Sequence, residues 1–223
     1  MQLILATSNP HKKAEIKAIF ATMLPHIEIV NLSEILSPFE IEENGASFEQ
    51  NATIKAKAVY EMLTLVRGEG ESLVLSEDSG LCVDALGGAP GIYSARFSLI
   101  EFGDGSWQEE KTRLQDLSLD ALNLTRVVYE LRSRDISESR AQFVANVCLM
   151  GCIGGQAIHR NFQGVCGGKV ITTPQGNGGF GYDPIFVPDG YEQTTLAQIE
   201  SKNEISHRKK ALVECAKYLK THE

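Results

Sequence analysis

The sequence predicts a single mixed α/β fold, and three observations carry that expectation. Short apolar runs suited to strands alternate with stretches of helical period, no linker-like segment divides the chain, and no internal repeat recurs. The 223 residues suit one domain spanning 1–223, in one or two lobes, with enough chain to bury a substantial core.

The opening "QLILAT", Gln2 to Thr7, reads as a short apolar strand. Ser8 or Asn9 is placed to cap the helix that follows. Pro10 suits its first turn, and Ala14, Ile16, Ile19 and Phe20 recur at helical spacing. A strand running into a capped helix sets free backbone N–H groups beside Lys12 and Lys13, which is an anion site by construction. His26 to Val30 form a second strand, followed by the acidic loop "FEIEENGAS" with Glu40, Glu42 and Glu43. Ser47 and Gln50 have the capping-box spacing, and a long helix with Ala52, Ala56, Val59, Met62 and Leu63 turned inward runs to about Val66. Leu73 to Ser76 form a buried strand ending in the polar loop Glu77-Asp78-Ser79. Residues 103–134 are helical in two pieces, 140–172 have strand character, and Asn203 to Lys220 close the chain as a helix.

The stretch "GNGGFGYDPIF", residues 176–186, holds Gly176, Gly178 and Gly181 at G-x-G-x-x-G spacing. That spacing binds a dinucleotide only where a helix leaves the glycines and its N-terminus holds the pyrophosphate. Here the exit is Tyr182-Asp183-Pro184 and then Ile185 to Pro188, a short strand between prolines. The dinucleotide reading is rejected, leaving the inference that backbone passes close to something at this point.

Composition narrows the partners. A formal net charge of -8 disfavours binding to a long nucleic acid, although local basic clusters leave a small phosphorylated substrate open. No apolar run approaches a bilayer span and the start lacks signal-peptide features, so no membrane partner and a cytoplasmic address are expected. Cys82, Cys148, Cys152, Cys166 and Cys215 are odd in number and scattered, as suits reduced, buried thiols rather than a metal pair at Cys148 and Cys152.

Four polar clusters stand at element ends, where functional loops sit on a scaffold. Thr7-Ser8-Asn9 with Lys12 is the first, and the acidic loop, with Lys55 able to meet it, is the second. The third is Glu77-Asp78: neighbours in extended chain point to opposite sides, so one can ligate magnesium while the other positions a water. A turn cap toward Gly80 is the alternative use of Asp78. In the fourth, "ISHRKK" sets His207, Arg208, Lys209 and Lys210 against the dipole of a helix N-terminus, which a bound phosphate explains, with Lys202 in reach. Phe180 or Tyr182 can stack on a base while Asp183 accepts from a ring N–H or sugar hydroxyl; the alternative for both aromatics is core. His11, His26, His159 and His222 are scattered.

"TSNPHK", "ENGASFEQNATIKA", "SEDSGLCVDALGGAPGIYSARF", "GNGGFGYDPIF" and "KNEISHRKKAL", in that order, resemble the inosine/xanthosine triphosphate pyrophosphatases over almost the whole chain. The resemblance implies an elongated mixed sheet with flanking helices, two lobes around a central substrate cleft, and a homodimer. It implies hydrolysis of ITP, dITP or XTP to the monophosphate and pyrophosphate with Mg²⁺. By the same resemblance Thr7, Ser8, Asn9, Pro10, His11 and Lys12 bind phosphate, and Asp78 is general base and metal ligand. Glu77 and Glu42 are further metal ligands, and Ser79 and Lys55 touch substrate. Phe180, Gly181, Tyr182 and Asp183 recognise the base, while Lys202, His207 and Arg208 complete the contacts. Ser8 stands where most members have glycine, Glu77 replaces an aspartate, and the segment 98–111 is longer than expected, with an open role. Two other functions compete: a pyrophosphatase of the dTTP or UTP type, disfavoured by the absence of an S-x-S-P-R start, and a nucleotide-sensing module without turnover. A P-loop kinase or ATPase is disfavoured by the lack of G-x-x-x-x-G-K-[ST].

Overall fold

The computed structural model describes residues 2–37, 39–68 and 72–222. Strand β1 (Gln2–Leu5) leads to helix α1 (Pro10–Met23), and strand β2 (Glu28–Asn31) to helix α2 (Phe48–Arg67) and the long strand β3 (Ser72–Val83). A 3-10 segment, Gly91–Leu99, precedes helices α3 (Trp107–Arg113) and α4 (Leu119–Arg132). Strands β4 (Glu138–Ile153), β5 (Gln156–Ile171) and β6 (Phe186–Pro188) follow, then helices α5 (Lys202–Ile205) and α6 (His207–Lys220). The hydrogen-bonded strand order is β2-β1-β3-β4-β5-β6. The sheet is mixed: β1 runs parallel to β2 and β3, aligning Leu3 with Ile29 and Leu73, while β5 and β6 are antiparallel.

The chain forms two compact units, the first comprising Met1–Asp78, Ala145–Val165 and Ile205–Glu223, the second Ser79–Val144 and Cys166–Glu204. In the first unit strand residues alternate between two apolar layers. Leu3, Leu5, Leu73, Leu75, Val147 and Leu149 pack with Ile16 and Phe20 of α1 and Leu212 and Leu219 of α6. Ile4, Val74 and Cys148 pack instead with Ala52, Ala56, Val59 and Leu63 of α2. Because successive strand residues face opposite ways, covering both faces demands the continuous apolar runs that the sequence has. In the second unit Trp107 and Phe97 lie against Arg126, whose guanidinium sits 2.7 Å from Glu130. The segment 98–111 is thereby packed onto α4, with Trp107 Nε1 donating to the Ser98 carbonyl at 3.1 Å.

Several expected boundaries move. β1 ends at Leu5, before Ala6 and Thr7, and β2 starts two residues later than expected, at Glu28. β3 does not stop at Ser76 but continues to Val83, so Glu77 and Asp78 lie within a strand and not in a loop. Residues 103–106 precede α3 rather than joining it. The strand region is two strands joined at Gly154-Gly155, whose φ values of 54° and 76° are those a tight two-residue turn requires. The closing helix is broken at Ser206, which caps α6 by accepting from the Lys209 N–H.

All five cysteines are free, and Cys148, Cys166 and Cys215 are buried. The close approach expected at the glycine-rich stretch is protein against protein: a Cβ on Gly178 would lie 2.5 Å from the Ala197 carbonyl oxygen. No helix among the described residues is long and apolar enough to cross a membrane.

Gly164 of β5 passes so close to α6 that a Cβ there would lie 2.0 Å from the His207 carbonyl oxygen and 2.6 Å from the Ala211 nitrogen. Both neighbours are backbone, so the helix itself must move. Gly164→Ala is therefore expected to cost about 1 to 3 kcal/mol, read as a lower urea midpoint at unchanged slope.

Candidate active site

The alternation that builds the first core continues into charge. Along β3, Leu73 and Leu75 face α1 and α6, and Glu77, two residues on, emerges on the same side. Val74 faces α2, as do Ser76, whose hydroxyl donates to the Ala52 carbonyl at 2.5 Å, and then Asp78. The two acids thus diverge as the strand geometry requires, each into a different set of partners.

Glu77 is 1% exposed and is held from two helices. Lys12 Nζ of α1 lies 2.6 Å from its Oε2, and Arg208 Nε of α6 donates to its Oε1 at 3.2 Å. Arg208 also donates through Nη1 to Glu15 Oε2 at 2.6 Å. Burial alone would lower its basicity, but Glu77 and Glu15 outweigh burial and hold the guanidinium above its ordinary range. The cation at this helix terminus therefore has two carboxylates as its reason, where the sequence pointed to phosphate.

Asp78 faces α2. Its Oδ2 accepts from Asn51 Nδ2 at 3.2 Å, and Lys55 Nζ lies 3.4 Å from its Oδ1 and 2.8 Å from Glu43 Oε2. Burial pushes the Asp78 carboxyl up, against the opposing pull of Lys55, Lys12 and the Asn51 amide. Lys55 is also raised, because Asp78, Glu43 and Glu77 overcome the effect of its burial. A carboxylate whose proton affinity is raised is suited to taking a proton from water.

Of the expected metal ligands Asp78, Glu42 and Glu77, Asp78 is on the α2 side of the strand and Glu77 on the opposite side. Glu42 is exposed, while its neighbour Glu43 makes the contact to Lys55. Glu77 has Lys12 and Arg208 on its two oxygens. Among the described residues no three His, Cys, Asp or Glu side chains gather as a metal-ligand group. Four carboxylates, Glu15, Glu43, Glu77 and Asp78, meet three cations, Lys12, Lys55 and Arg208.

The start of α1 differs in detail from the expected anion site. Asn9 is the cap and accepts from the His11 and Lys12 N–H groups at 2.9 and 3.2 Å, while Thr7 Oγ1 accepts from the Asn9 N–H at 3.3 Å. Two first-turn amides are thus already satisfied by the chain. Ser8, Pro10 and His11 are exposed beside them. His207 is not a cation: burial and the neighbouring Arg208 push its imidazole down to about 3.

The second unit carries the expected aromatic cluster. Lys202 Nζ lies 2.5 Å from Asp183 Oδ2 and 4.9 Å from the Phe180 ring centre, and the Phe180 N–H donates to Asp183 at 3.1 Å. Gly181 supplies a positive φ of 59° between the two aromatics. Tyr182 is the core residue of the pair, 5% exposed with its hydroxyl donating to the Ser94 carbonyl at 2.7 Å, and Phe180 is the half-buried one. Ser79, directly after Asp78, is half-buried.

Glu15 and Asn51 escaped the sequence reading, and Glu43 was read only as part of the acidic loop, where Glu42 was the expected ligand. Helical spacing carried a signal for the first two, since Glu15 lies three residues after Lys12 and Asn51 four before Lys55, each on its partner's face.

A sequence model of the Ham1 family matches residues 3–218. A protein named dITP/XTP pyrophosphatase from Campylobacter jejuni subsp. doylei is 44% identical over 214 residues, covering 95% of this chain and 94% of its own. One of the same name from Nautilia profundicola is 42% identical over 214 residues, with the same two coverages. Among solved structures, the Staphylococcus aureus Ham1 protein superposes with a TM-score of 0.77 at 30% identity, covering all of both chains. The nucleoside-triphosphatase, or dITP/XTP pyrophosphatase, of Mycobacterium abscessus does so with 0.66 at 32%, covering 96% of this chain and 98% of that one.

The depressed basicity of His207 has a consequence for acid stability. The native imidazole stays neutral down to about 3, while an unfolded histidine takes up a proton below its ordinary 6.5. The unfolded chain then binds the extra proton, so stability is intact above pH 6.5 and falls through that window by roughly 1.4 kcal/mol per pH unit. His207→Asn is expected to remove that slope, measured as the difference between parent and variant urea midpoints at pH 7, 5 and 4.

Proposed function

The chain belongs to the Ham1 family, and from that premise we propose that it hydrolyses deaminated purine nucleoside triphosphates, dITP, ITP and XTP, to the monophosphate and pyrophosphate. The observation that carries the reading is the buried arrangement on β3, in which Asp78 and Glu77 each face their own cations. A phosphoryl transfer needs charge neutralisation and a positioned nucleophile more than covalent chemistry, and Lys12, Lys55 and Asp78 supply those.

In this mechanism Asp78 takes the proton of a water whose oxygen bonds to the α-phosphorus. The bond from that phosphorus to the oxygen bridging to the β-phosphate breaks, and pyrophosphate leaves with the electron pair. Lys12 and Lys55 offset the charge on the triphosphate, and Glu77 holds Lys12 in place from below. In the second unit, the family resemblance gives base recognition to half-buried Phe180 and to Asp183, which is fixed by Lys202. Donors aimed at a 6-oxo group meet another donor when adenine's 6-amino group arrives, a mismatch costing about 1 to 3 kcal/mol.

A divalent cation belongs to the same proposal. The donors here are oxygens alone, and the ammonium of Lys55 lies between Asp78 and Glu43, a position where carboxylates ask for positive charge. That set suits a hard ion such as Mg²⁺, with Asp78 and Glu43 as its holders in place of Glu42 and Glu77. When bound, the ion would draw negative charge from the phosphates and water. The homodimer rests on the family resemblance alone, and the cytoplasmic address on the composition of the chain.

Assayed against a panel of nucleoside triphosphates with Mg²⁺, the protein is expected to release pyrophosphate from dITP and XTP with kcat/KM at least about 100-fold above dATP and dGTP. Predominant orthophosphate, or preference for dTTP or UTP, would overturn the assignment. Asp78→Asn is expected to lower kcat about 10²- to 10⁴-fold while dITP still binds in an equilibrium titration. Unchanged turnover would remove Asp78 as the base. No parent turnover on any substrate, with nucleotide bound, would favour the sensing module.

A further inference from the structure

Asn51 is 1% exposed and stands one helical turn before Lys55, so both side chains reach Asp78 from the same face of α2. Its Oδ1 accepts from the Gly45 N–H at 2.9 Å, and its Nδ2 donates to Asp78 Oδ2 at 3.2 Å. The direction of the amide is fixed by chemistry. A backbone N–H can only donate, so the oxygen must face Gly45, and the amino group is left to face the carboxylate.

We propose that Asn51 is a positioning residue for hydrolysis, tying the carboxylate of Asp78 to the acidic loop that carries Glu43. The inference rests on the reading of Asp78 as the base. Two routes join that loop to Asp78, one through the Lys55 ammonium and one through this amide. The ammonium sits on a flexible stem and answers to whatever charge enters the site. The amide is neutral, buried and short, so it keeps its geometry when the charges around it change. Gly45 is part of the same device, because a Cβ there would lie 2.7 Å from Asn51 Oδ1 and 2.7 Å from Gln50 Cβ. The loop comes near enough to be held only because position 45 has no side chain.

The device can be loosened from either end. Asn51→Ala removes the amide, and Gly45→Ala pushes it aside without touching Asp78. Both variants are expected to lose kcat on dITP about 10- to 100-fold with KM changed less than about threefold, since the carboxylate is misaimed while the phosphate grips stay. In Asn51→Ala the Gly45 amide should exchange with deuterium faster. Ser47→Ala is the structural control: it removes the α2 cap, whose hydroxyl accepts from the Gln50 N–H at 3.2 Å, and should lower the melting temperature with kcat unchanged. Retention of kcat in Asn51→Ala or Gly45→Ala beside an active parent would overturn the proposal, as would loss carried wholly by KM or reproduced by Ser47→Ala. An inactive parent would sink the functional reading instead, and unchanged exchange at Gly45 in Asn51→Ala would by itself overturn the tie between the loop and the amide.

Discussion

A carboxylate with almost no solvent, Glu77, sits at the point where three elements of the first unit meet, and its neutralisation is the constraint on which the site depends. An unpaired ion at such depth costs several kcal/mol, so Lys12 from α1 and Arg208 from α6 are both required, and Glu15 is required in turn by Arg208. The ion pairs thereby tie α1, β3 and α6 together beside Asp78. Removing any one member would leave charge stranded in a dry interior.

Strand alternation divides the two acids. The side of β3 that is apolar against α1 and α6 ends in Glu77, which is saturated by cations. The side that is apolar against α2 ends in Asp78, which keeps a raised proton affinity. A group held partly against its preferred ionisation is a local expense that active sites carry and cores avoid. The first acid is saturated by cations and the second keeps a raised proton affinity, from consecutive positions on one strand.

How much of this the sequence disclosed depended on whether the cause was local. The caps at Asn9 and Ser47, the apolar runs in "QLIL" and "SLVL", and the break after the glycines at 176–181 are decided within a few residues, and they were legible; the cap at Ser206, inside what reads as one helix, was not. "SEDSG" reads as a turn because buried acids are disfavoured in strands; here cations from helices far away in the chain reverse that preference. Glu43 and Glu42 differ only in which way the loop turns, and the turn is set by Lys55 and by the Gly45 contact with Asn51. Which of Phe180 and Tyr182 is core was not legible, because the Tyr182 hydroxyl finds a carbonyl at Ser94, a partner that spacing does not reveal.

The Gly154-Gly155 turn between β4 and β5 bears on how this protein can be handled. Both residues are exposed, and a Cβ at either would meet no atom within 4 Å. A side chain added at this tip would meet no other part of the fold. The tip is therefore the natural anchoring point for a purification tag, a surface linker or a dye, leaving both termini and the ionised interior as they are.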